Sequence, residues 1–380
     1  MRAAAQSAFQ YAVGAWQDPP DARDQLDKIS QTFAQLGLPQ DLLLGIVPPY
    51  STAASSVSAF AGSNAAESIP FERTGEGTRQ LSSLALIARM VGEHPLLLID
   101  ELEAGLEPHR QRVAAKLASR AVAGGGQAII VTHAPAVVSS LADTAHWRMA
   151  STRAVGISQR LSATVFKNQP EAAFSKLPLV CEGKTELGFV PSFWRHYNGS
   201  DLEESGASAI YGGGHSAALD MLEDLLDAGI PCAGFVDNEL EKQGTRDRIS
   251  AKCPLFTWAP LHMPEEALAN WVPIEQLEAL VDVIAKARSQ FSRSITAHNI
   301  LALVAKSLKD DEQARTIDAI AAIYGEAPTR AALYKVLISQ KLLKLEAIAG
   351  AVAVWLTSTG IPPEMDIILR PFFSKCKFLL

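Results

Sequence analysis

Acidic side chains follow two apolar, strand-like runs in the middle of the chain. Glu182 comes directly after the run 177–181, and Glu186 follows it across a glycine turn. Fifty-five residues after Glu182, Asp237 and Glu239 stand at the end of another apolar run. Because the carboxyl ends of parallel strands meet at one edge of a sheet, this pattern predicts that the four acids lie close together.

Four carboxylates gathered at one sheet edge are suited to hold divalent cations beside a phosphodiester. Hydrolysis of that bond requires neutralised charge on the attacking and leaving oxygens, which two cations roughly 3.5–4 Å apart achieve. The expected ligands are Asp237 and Glu239 for one ion, with Glu182 and Glu186 for the other. Mg²⁺ or Mn²⁺ is favoured because no His/Cys cluster offers a softer site. Each acid taken singly is better explained as a solvated residue at a turn or helix start, so the interpretation depends on the constellation.

A second pair of acids, Asp100 and Glu101, closes another apolar run. At the end of a buried parallel strand, Asp100 would hold Mg²⁺ through water while Glu101 orients the water that attacks a γ-phosphate. Upstream, Gly75 and Gly77 precede a predicted helix over residues 81–90, where backbone N–H groups can meet a phosphate. Taken alone, the two acids are explained as well by solvated residues after a core strand.

The order of these features along the chain resembles the ABC ATPase group. Residues 102–109, Leu-Glu-Ala-Gly-Leu-Glu-Pro-His, resemble its D-loop, and the turn around Gly75 and Gly77 resembles its signature motif. His133 follows a second apolar run, at the position of that group's switch histidine, which touches the γ-phosphate. The residues that this resemblance assigns to nucleotide binding are Gly75, Gly77, Asp100, Glu101 and His133, with Glu101 as the catalytic acid.

The sequence contains no P-loop motif. The pattern is G-x-x-x-x-G-K-[ST], and the Gly-Lys-Thr at residues 183–185 lacks the upstream glycine because position 178 is proline. In the ABC group this loop lies near the N-terminus, so we expect the chain to begin inside the ATPase domain. ATP is expected as a cofactor only if a missing N-terminal part supplies the loop.

Two stretches of the chain alternate apolar strand-like runs with helical patterns, which indicates parallel sheets covered by helices. The first extends over residues 75–146 and the second over residues 177–236. From about residue 273 onward the apolar spacing is helical. We therefore predict an α/β fold class in three parts: a partial ABC-type ATPase domain (1–170), a Rossmann-like parallel-sheet domain (176–272) and a helical domain (273–380).

The second α/β stretch resembles a Toprim nuclease domain. A strand ending in glutamate, the glycine loop at residues 212–214 and an acidic strand follow one another in the Toprim order. Toprim domains usually carry Asp-x-Asp on the second of these strands, whereas Glu239 keeps the charge on a longer side chain. An ABC-type ATPase followed by a Toprim domain resembles the OLD (overcoming lysogenization defect) family, and the likeness covers about residues 70–270.

The OLD resemblance implies two further site residues. OLD nucleases carry an additional acid after the next apolar run, which makes Glu265 or Glu266 a metal ligand; a helix-start carboxylate favoured by the dipole is the alternative. They also present a lysine that stabilises charge on the scissile phosphate. Lys344 is the first choice for this role and Lys341 the second. The aromatic residues usual beside that lysine are leucines here, and a solvated helix face explains both lysines equally well.

By the same resemblance, the chain is expected to be an ATPase-controlled, metal-dependent endonuclease or nickase of DNA. The family implies a homodimer joined through the ATPase domains, a role in defence against phage and, in some members, a UvrD-like helicase partner. An SMC-like or AAA-like DNA-binding ATPase with an inactive Toprim module is the alternative. A Toprim enzyme of primase or topoisomerase type is disfavoured, since the sequence offers neither a zinc ribbon nor a catalytic tyrosine context.

Composition restricts the remaining classes of protein. With 48% hydrophobic and 20% charged residues, the 380-residue chain is typical of globular proteins with more than one domain. The uncharged apolar stretch 347–356 has about half of the ~20 residues that span a bilayer, so no membrane segment is expected. No secretory signal is recognised, and four scattered cysteines indicate free thiols in a reducing cytoplasm. A net charge of −7 argues against a uniformly basic surface that coats DNA.

The lack of a P-loop motif predicts that this chain alone hydrolyses ATP at a negligible rate, because nothing in its sequence cradles the β- and γ-phosphates. Phosphate release at saturating ATP and Mg²⁺ measures the rate, with Glu101→Gln as the matched variant. Robust hydrolysis that disappears in Glu101→Gln would show that a phosphate loop has escaped recognition.

Overall fold

The computed structural model describes residues 20–47, 56–62, 69–90, 94–150, 153–239, 241–291, 295–309 and 316–380. The chain divides into two compact units, Met1–Ala142 and Asp143–Leu380, here called the N-terminal and C-terminal units. Within the described ranges, no helix is both long enough and apolar enough to cross a bilayer.

The N-terminal unit combines a small antiparallel sheet, a parallel pair of strands and several helices. The antiparallel sheet consists of β1 (Leu42–Val47), β2 (Ser56–Ala61) and β3 (Ile69–Pro70), in that order. The parallel pair consists of β4 (Leu96–Ile99) and β5 (Gln127–Ile130). The helices are α1 (Pro20–Gln35), α2 (Glu76–Met90), α3 (Pro108–Ala121) and α4 (Pro135–Ser140), and a 3₁₀ turn spans Phe71–Arg73.

Helix α2 begins five residues earlier than the predicted 81–90. Its first residue is Glu76, whose negative charge interacts favourably with the helix dipole. Gly77 therefore lies inside the first turn, against the backbone of Gly105: a Cβ on Gly77 would be 2.1 Å from the Gly105 carbonyl oxygen. Gly77, one of the two glycines that predicted a turn, thus permits a close backbone contact at the start of a helix.

The C-terminal unit opens with an antiparallel hairpin and continues with a four-stranded parallel sheet. The hairpin strands are β6 (His146–Ala150) and β7 (Arg153–Ile157), followed by helical turns over Gln159–Leu161, Ser162–Phe166 and Pro170–Ala173. The sheet has the order β11-β10-β8-β9, with β8 (Leu177–Cys181), β9 (Ala207–Tyr211), β10 (Ala233–Phe235) and β11 (Leu255–Phe256). Helices α5 (Lys184–Asn198), α6 (His215–Asp227) and α7 (Gln243–Ser250) connect these strands.

The rest of the unit is helical. A 3₁₀ turn spans Ile274–Gln276, and the helices are α8 (Pro264–Trp271), α9 (Leu277–Ser289), α10 (Ala297–Ser307), α11 (Ile317–Tyr324), α12 (Glu326–Ser339), α13 (Glu346–Thr359) and α14 (Pro363–Phe378). The loop between α12 and α13 carries Lys344.

The sheet and the C-terminal helices share one hydrophobic core. Every residue of β8 is buried, as expected for a parallel strand covered on both faces. Aromatic rings join the two parts: Phe373 of α14 packs edge-on against Trp194 of α5, at 6.3 Å between centroids, and contacts Phe235 of β10 at 6.2 Å. Residues far apart in sequence are therefore fixed relative to one another around the sheet.

Helices α5 and α13 approach each other closely at Gly188. A Cβ at this position would lie 2.3 Å from the Glu346 carbonyl oxygen and 2.7 Å from Cβ of Ala349. Both atoms belong to helix α13, so neither can move away from Gly188 unless the helix moves. The absence of a side chain at Gly188 is thus what allows α13 to lie against the first half of α5.

Gly188→Ala is expected to lower the free energy of unfolding by about 1–3 kcal/mol, because α13 must move away from α5. Gly244→Ala is the matched control: Gly244 lies on helix α7 with no atom within 4 Å of its Cβ position. Alanine there is expected to be neutral or to stabilise by up to about 1 kcal/mol. Urea denaturation followed by circular dichroism measures both. Unchanged stability in Gly188→Ala would contradict the close helix contact.

Candidate functional site

The carboxyl ends of β8 and β10 hold Glu182 and Asp237 next to each other. The last residues of these strands, Cys181 and Phe235, are paired in parallel register. The Asp237 backbone N–H donates to Oε2 of Glu182 at 2.9 Å. Both acids are buried, with 8% and 7% of their surface exposed. Two acids that stand 55 residues apart in the sequence therefore belong to one site.

Glu186 reaches the same site from the first turn of α5. The Gly183 backbone N–H donates to Oε2 of Glu186 at 2.8 Å, so the side chain folds back over the helix start. A Cβ on Gly183 would lie 2.9 Å from that oxygen, so any other residue there would displace the Glu186 carboxylate. Glu186 is buried, and the charge of Glu182 acts on it directly.

Glu265 and Lys344 enter the site from the C-terminal helices. Glu265 lies in the first turn of α8 and is fully buried. Nζ of Lys344 is 3.7 Å from Oε1 of Glu265. The hydroxyl of Thr185, at the start of α5, donates to the Leu343 carbonyl at 3.1 Å. This bond ties the loop between α12 and α13, here called the lysine loop, to the helix that carries Glu186.

Crowded carboxylates raise one another's pKa at this site. Burial raises the pKa of Asp237 to about 9, and the three carboxylates around it add to the shift. Burial and the charge of Glu182 raise the pKa of Glu186 to about 7, although backbone hydrogen bonds act in the opposite direction. Burial lowers the pKa of Lys344, but the carboxylates outweigh it and the pKa is raised overall. Without a cation the site thus favours the protonated forms of Asp237 and Glu186, and a bound cation would favour their charged forms.

Buried oxygens without partners indicate where a cation fits. Oδ1 of Asp237 and both carboxylate oxygens of Glu265 are buried without a hydrogen bond. A buried acceptor left unmet costs about 1–3 kcal/mol, and hard oxygen ligands of this kind match Mg²⁺ or Mn²⁺. Across the described ranges, no three His, Cys, Asp or Glu side chains stand in a ready-made metal-ligand geometry.

Three side chains that the sequence suggested as metal ligands or phosphate contacts lie outside the cluster formed by the buried acids and Lys344. The Glu239 side chain is exposed, while its backbone carbonyl accepts a hydrogen bond from Arg246. Glu266 accepts from the His262 backbone N–H at 2.8 Å and so braces the start of α8. Lys341 is exposed and is not among the charges that act on Asp237. The group that the structure brings together is Glu182, Glu186, Asp237, Glu265 and Lys344.

In the N-terminal unit, parallel pairing of β4 with β5 brings Asp100 and Glu101 to the same sheet edge as His133. All three are exposed, and Glu101 has a positive φ of 49°. Glu103 links the segments that follow the two strands: it accepts from the Thr132 hydroxyl at 2.5 Å and from the His133 backbone N–H at 2.6 Å. The segment after β5 that contains Thr132 and His133 is here called the histidine loop. Its position therefore depends on the loop that follows β4.

The start of α2 adjoins this same loop. Gly75 is the last residue before the helix and is exposed, and Gly77 packs on the backbone of Gly105. The segments that resemble the signature motif, the D-loop and the switch histidine thus form one connected surface of the N-terminal unit. That surface joins backbone N–H groups at a helix start to acids at a strand end, which is suited to a phosphate with a divalent cation.

Two family models match the chain. Residues 1–139 match the family described as "AAA domain, putative AbiEii toxin, Type IV TA system", and residues 174–238 match "Overcoming lysogenization defect protein-like, TOPRIM domain". The chain has the OLD-family architecture. An AAA-type ATPase domain precedes an OLD-like Toprim domain and a helical C-terminal region, which confirms the predicted resemblance and the α/β fold class. No curated protein matches the chain.

A solved structure is also similar in part. Its description is "Structural biochemistry of ATP-driven dimerization and DNA stimulated activation of SMC ATPases", and it aligns at 15% identity over 43% of this chain and 96% of its own. The TM-score is 0.27. A similarity at that level indicates nothing about the function of this chain.

Several residues of the OLD-like Toprim domain that hold others in place were missed by sequence reasoning. Thr185 tethers the lysine loop, and Nδ1 of His215 lies 2.9 Å from Oε2 of Glu182. Arg246 donates to Oδ1 of Asn238 at 2.9 Å and so fixes the loop that carries Asp237. The glycine run at 212–214 signals a sharp turn before His215. Nothing in the sequence signals the partners of the other side chains, because they come from distant segments.

The raised pKa of Asp237 generates a pH-dependent prediction for metal-free protein. A carboxyl group with a higher pKa in the folded state stabilises the fold while it is protonated. Its contribution is complete below the unfolded value of 3.8 and is lost as the pH rises through about 9. Asp237→Asn, which mimics the protonated acid, should therefore melt roughly 5 °C or more above the parent at pH 8 in EDTA.

The same melting experiment at pH 4 should give nearly equal temperatures for the parent and Asp237→Asn. Asp282→Asn serves as the control, because Asp282 is an exposed acid on α9. It should melt like the parent at both pH values. Parallel melting curves for the parent and Asp237→Asn across the whole pH range would contradict the crowding of charge at this site.

Proposed function

We propose that this chain is a metal-dependent endonuclease or nickase of DNA, controlled by its ATPase domain. The observation that carries the proposal is the set of buried carboxylate oxygens without a hydrogen bond at the carboxyl edge of the OLD-like Toprim sheet. Oxygens in that state favour a cation. A lysine lies beside them, 3.7 Å from Glu265, and adds a positive group next to the ligands.

Divalent cations, Mg²⁺ or Mn²⁺, would supply a water nucleophile of lowered pKa and neutralise charge on the phosphate when bound. The side chains that would hold them are Glu182, Glu186, Asp237 and Glu265, with Glu239 as a further candidate at the exposed end of the loop. The carboxylate oxygens of these acids favour Mg²⁺ or Mn²⁺ over softer metals.

Lys344 is the residue proposed to contact the scissile phosphate. Its side chain is 54% exposed, so the ammonium group is open to a ligand while it remains near the acids. The Thr185 bond to the Leu343 carbonyl limits the movement of its loop. A positive charge held at this position would stabilise the additional negative charge that develops on phosphate oxygens in the transition state.

We place nucleotide control in the AAA-type domain, on Gly75, Gly77, Asp100, Glu101 and His133. Glu103 supports this assignment because it couples the histidine loop to the loop after β4. ATP binding there needs a P-loop contributed by another segment. Assembly as a homodimer, a role in phage defence and a UvrD-like helicase partner are further parts of the proposal that rest on the family resemblance.

One observation favours a second candidate, a DNA-binding ATPase of SMC or AAA type whose Toprim domain is inactive. The Glu239 side chain is exposed and stands apart from the buried acids. A Toprim site that lacks its second strand acid would bind metal more weakly. This candidate predicts DNA binding without cleavage.

Nicking of supercoiled plasmid with Mg²⁺ or Mn²⁺ distinguishes the two candidates. The parent should convert the plasmid to open-circle or linear DNA, while Asp237→Ala and Glu182→Ala should lose about 100-fold or more of the rate, since each loses a ligand of the charge-stabilising site. Asp282→Ala, on the exposed face of α9, is the matched acid-to-alanine control and should nick like the parent.

Equal nicking by the parent, Asp237→Ala and Glu182→Ala would identify a contaminating nuclease and remove the proposal. Retarded DNA in a gel-shift assay without any metal-dependent nicking by the parent would favour the inactive-Toprim candidate.

A further inference from the structure

Oε2 of Glu182 already has two protein donors. The Asp237 backbone N–H and ring Nδ1 of His215 each lie 2.9 Å from this oxygen. A carboxylate oxygen offers about two lone-pair directions, so Oε2 has no capacity left for another ligand. Within the described residues, Oε1 receives no such hydrogen bond. Glu182 is therefore prepared to offer one oxygen, and not both, to a cation.

The glycine loop after β9 puts His215 in this position. The Gly212 N–H donates to the Cys181 carbonyl at 2.7 Å, and the Gly214 N–H donates to the Glu182 carbonyl at 2.9 Å. Gly214 has a φ of 106°, which favours glycine, and a Cβ on Gly212 would lie 2.8 Å from the Cys181 carbonyl oxygen. The loop thus wraps around the backbone of Glu182 and delivers His215 as the first residue of α6.

Among the described residues, the His215 ring has one polar contact, its bond to Glu182. Its side chain is 4% exposed, and Nε2 is buried without a partner. Because Nδ1 faces a carboxylate oxygen, Nδ1 is assigned as the protonated nitrogen and the donor. Burying a histidine whose Nε2 has no hydrogen-bond partner costs free energy. The hydrogen bond from Nδ1 to Glu182 is the polar interaction that offsets this cost and holds the ring beside Glu182.

We propose that His215 is a positioning residue that holds Glu182 in the orientation in which Oε1 alone meets a divalent cation. The inference rests on the proposed nuclease function, since it concerns the ligands of the same site. Hydrogen bonds from neighbouring residues to metal ligands fix ligand orientation, and their loss typically weakens metal binding 10–100-fold. His215 would act on metal affinity without contact with DNA or the metal.

Mn²⁺ binding measured by electron paramagnetic resonance of the free ion tests this role directly, without DNA. His215→Ala and His215→Phe remove the donor, and phenylalanine also keeps a ring of similar size. Both should bind Mn²⁺ about 10–100-fold more weakly than the parent. His215→Asn should stay within about threefold of the parent, because its amide nitrogen can take the place of Nδ1. Plasmid nicking by His215→Ala should recover at saturating Mn²⁺.

His196→Ala is the matched control. His196 is an exposed residue in the last turn of α5, about 15 Å along the helix from Glu186. This variant should bind Mn²⁺ like the parent. Metal-free melting temperatures of all variants, followed by circular dichroism, establish whether each one is folded.

Each outcome decides between the two proposals. A parent protein that neither binds Mn²⁺ nor nicks DNA removes the nuclease function and this inference together. If the parent does both, Mn²⁺ affinities of His215→Ala and His215→Phe within twofold of the parent overturn the inference alone. The same holds if His215→Asn is as weak as His215→Ala, since an N–H donor at this position would then fail to restore binding. Failure of all three variants to fold would assign His215 to the core and also overturn it.

Discussion

The burial of several carboxyl groups at one edge of a sheet is the constraint on which the candidate site of the C-terminal unit depends. Asp237 and Glu265 keep oxygens buried without hydrogen bonds, and Lys344 is the positive group that lies among them. Burying charge in this way is unfavourable unless a counter-charge is present. The surrounding structure holds the acids in place nevertheless: backbone N–H groups bind Glu182 and Glu186, and hydrogen-bonded loops surround them. The fold thus keeps these acids buried together at a cost in stability.

The sequence predicted which strands form this site better than it predicted which of several neighbouring acids face into the site. Strand ends are recognisable from apolar runs, so the approach of Glu182 to Asp237 followed from parallel pairing. The choice of Glu265 over Glu266 depends on which face of α8 is turned toward the sheet, and this follows from packing against distant helices. The exposure of Glu239 depends on a loop held by Arg246, which lies outside any local motif.

The ATPase unit illustrates the same limit. The order of glycine turn, acidic strand and histidine strand was sufficient to recognise an ATPase resemblance, and the family match agrees with it. The hydrogen bonds from Thr132 and His133 to Glu103 could not be deduced, because they join residues about 30 positions apart. They make the D-loop-like segment and the histidine loop a single element, so that a displacement of either one is transmitted to the other.

A hydrophobic core that continues from the sheet into the C-terminal helices has a consequence for how proteins of this architecture can diversify. Phe373 on the last helix packs against Trp194 beside the sheet, and the lysine that faces the acids lies on a loop between two of those helices. Recombination that transplanted the sheet by itself would expose aromatic surface and leave the lysine behind. The segment that could be exchanged intact is therefore the whole C-terminal unit, in which the candidate site and the core that supports it stay together.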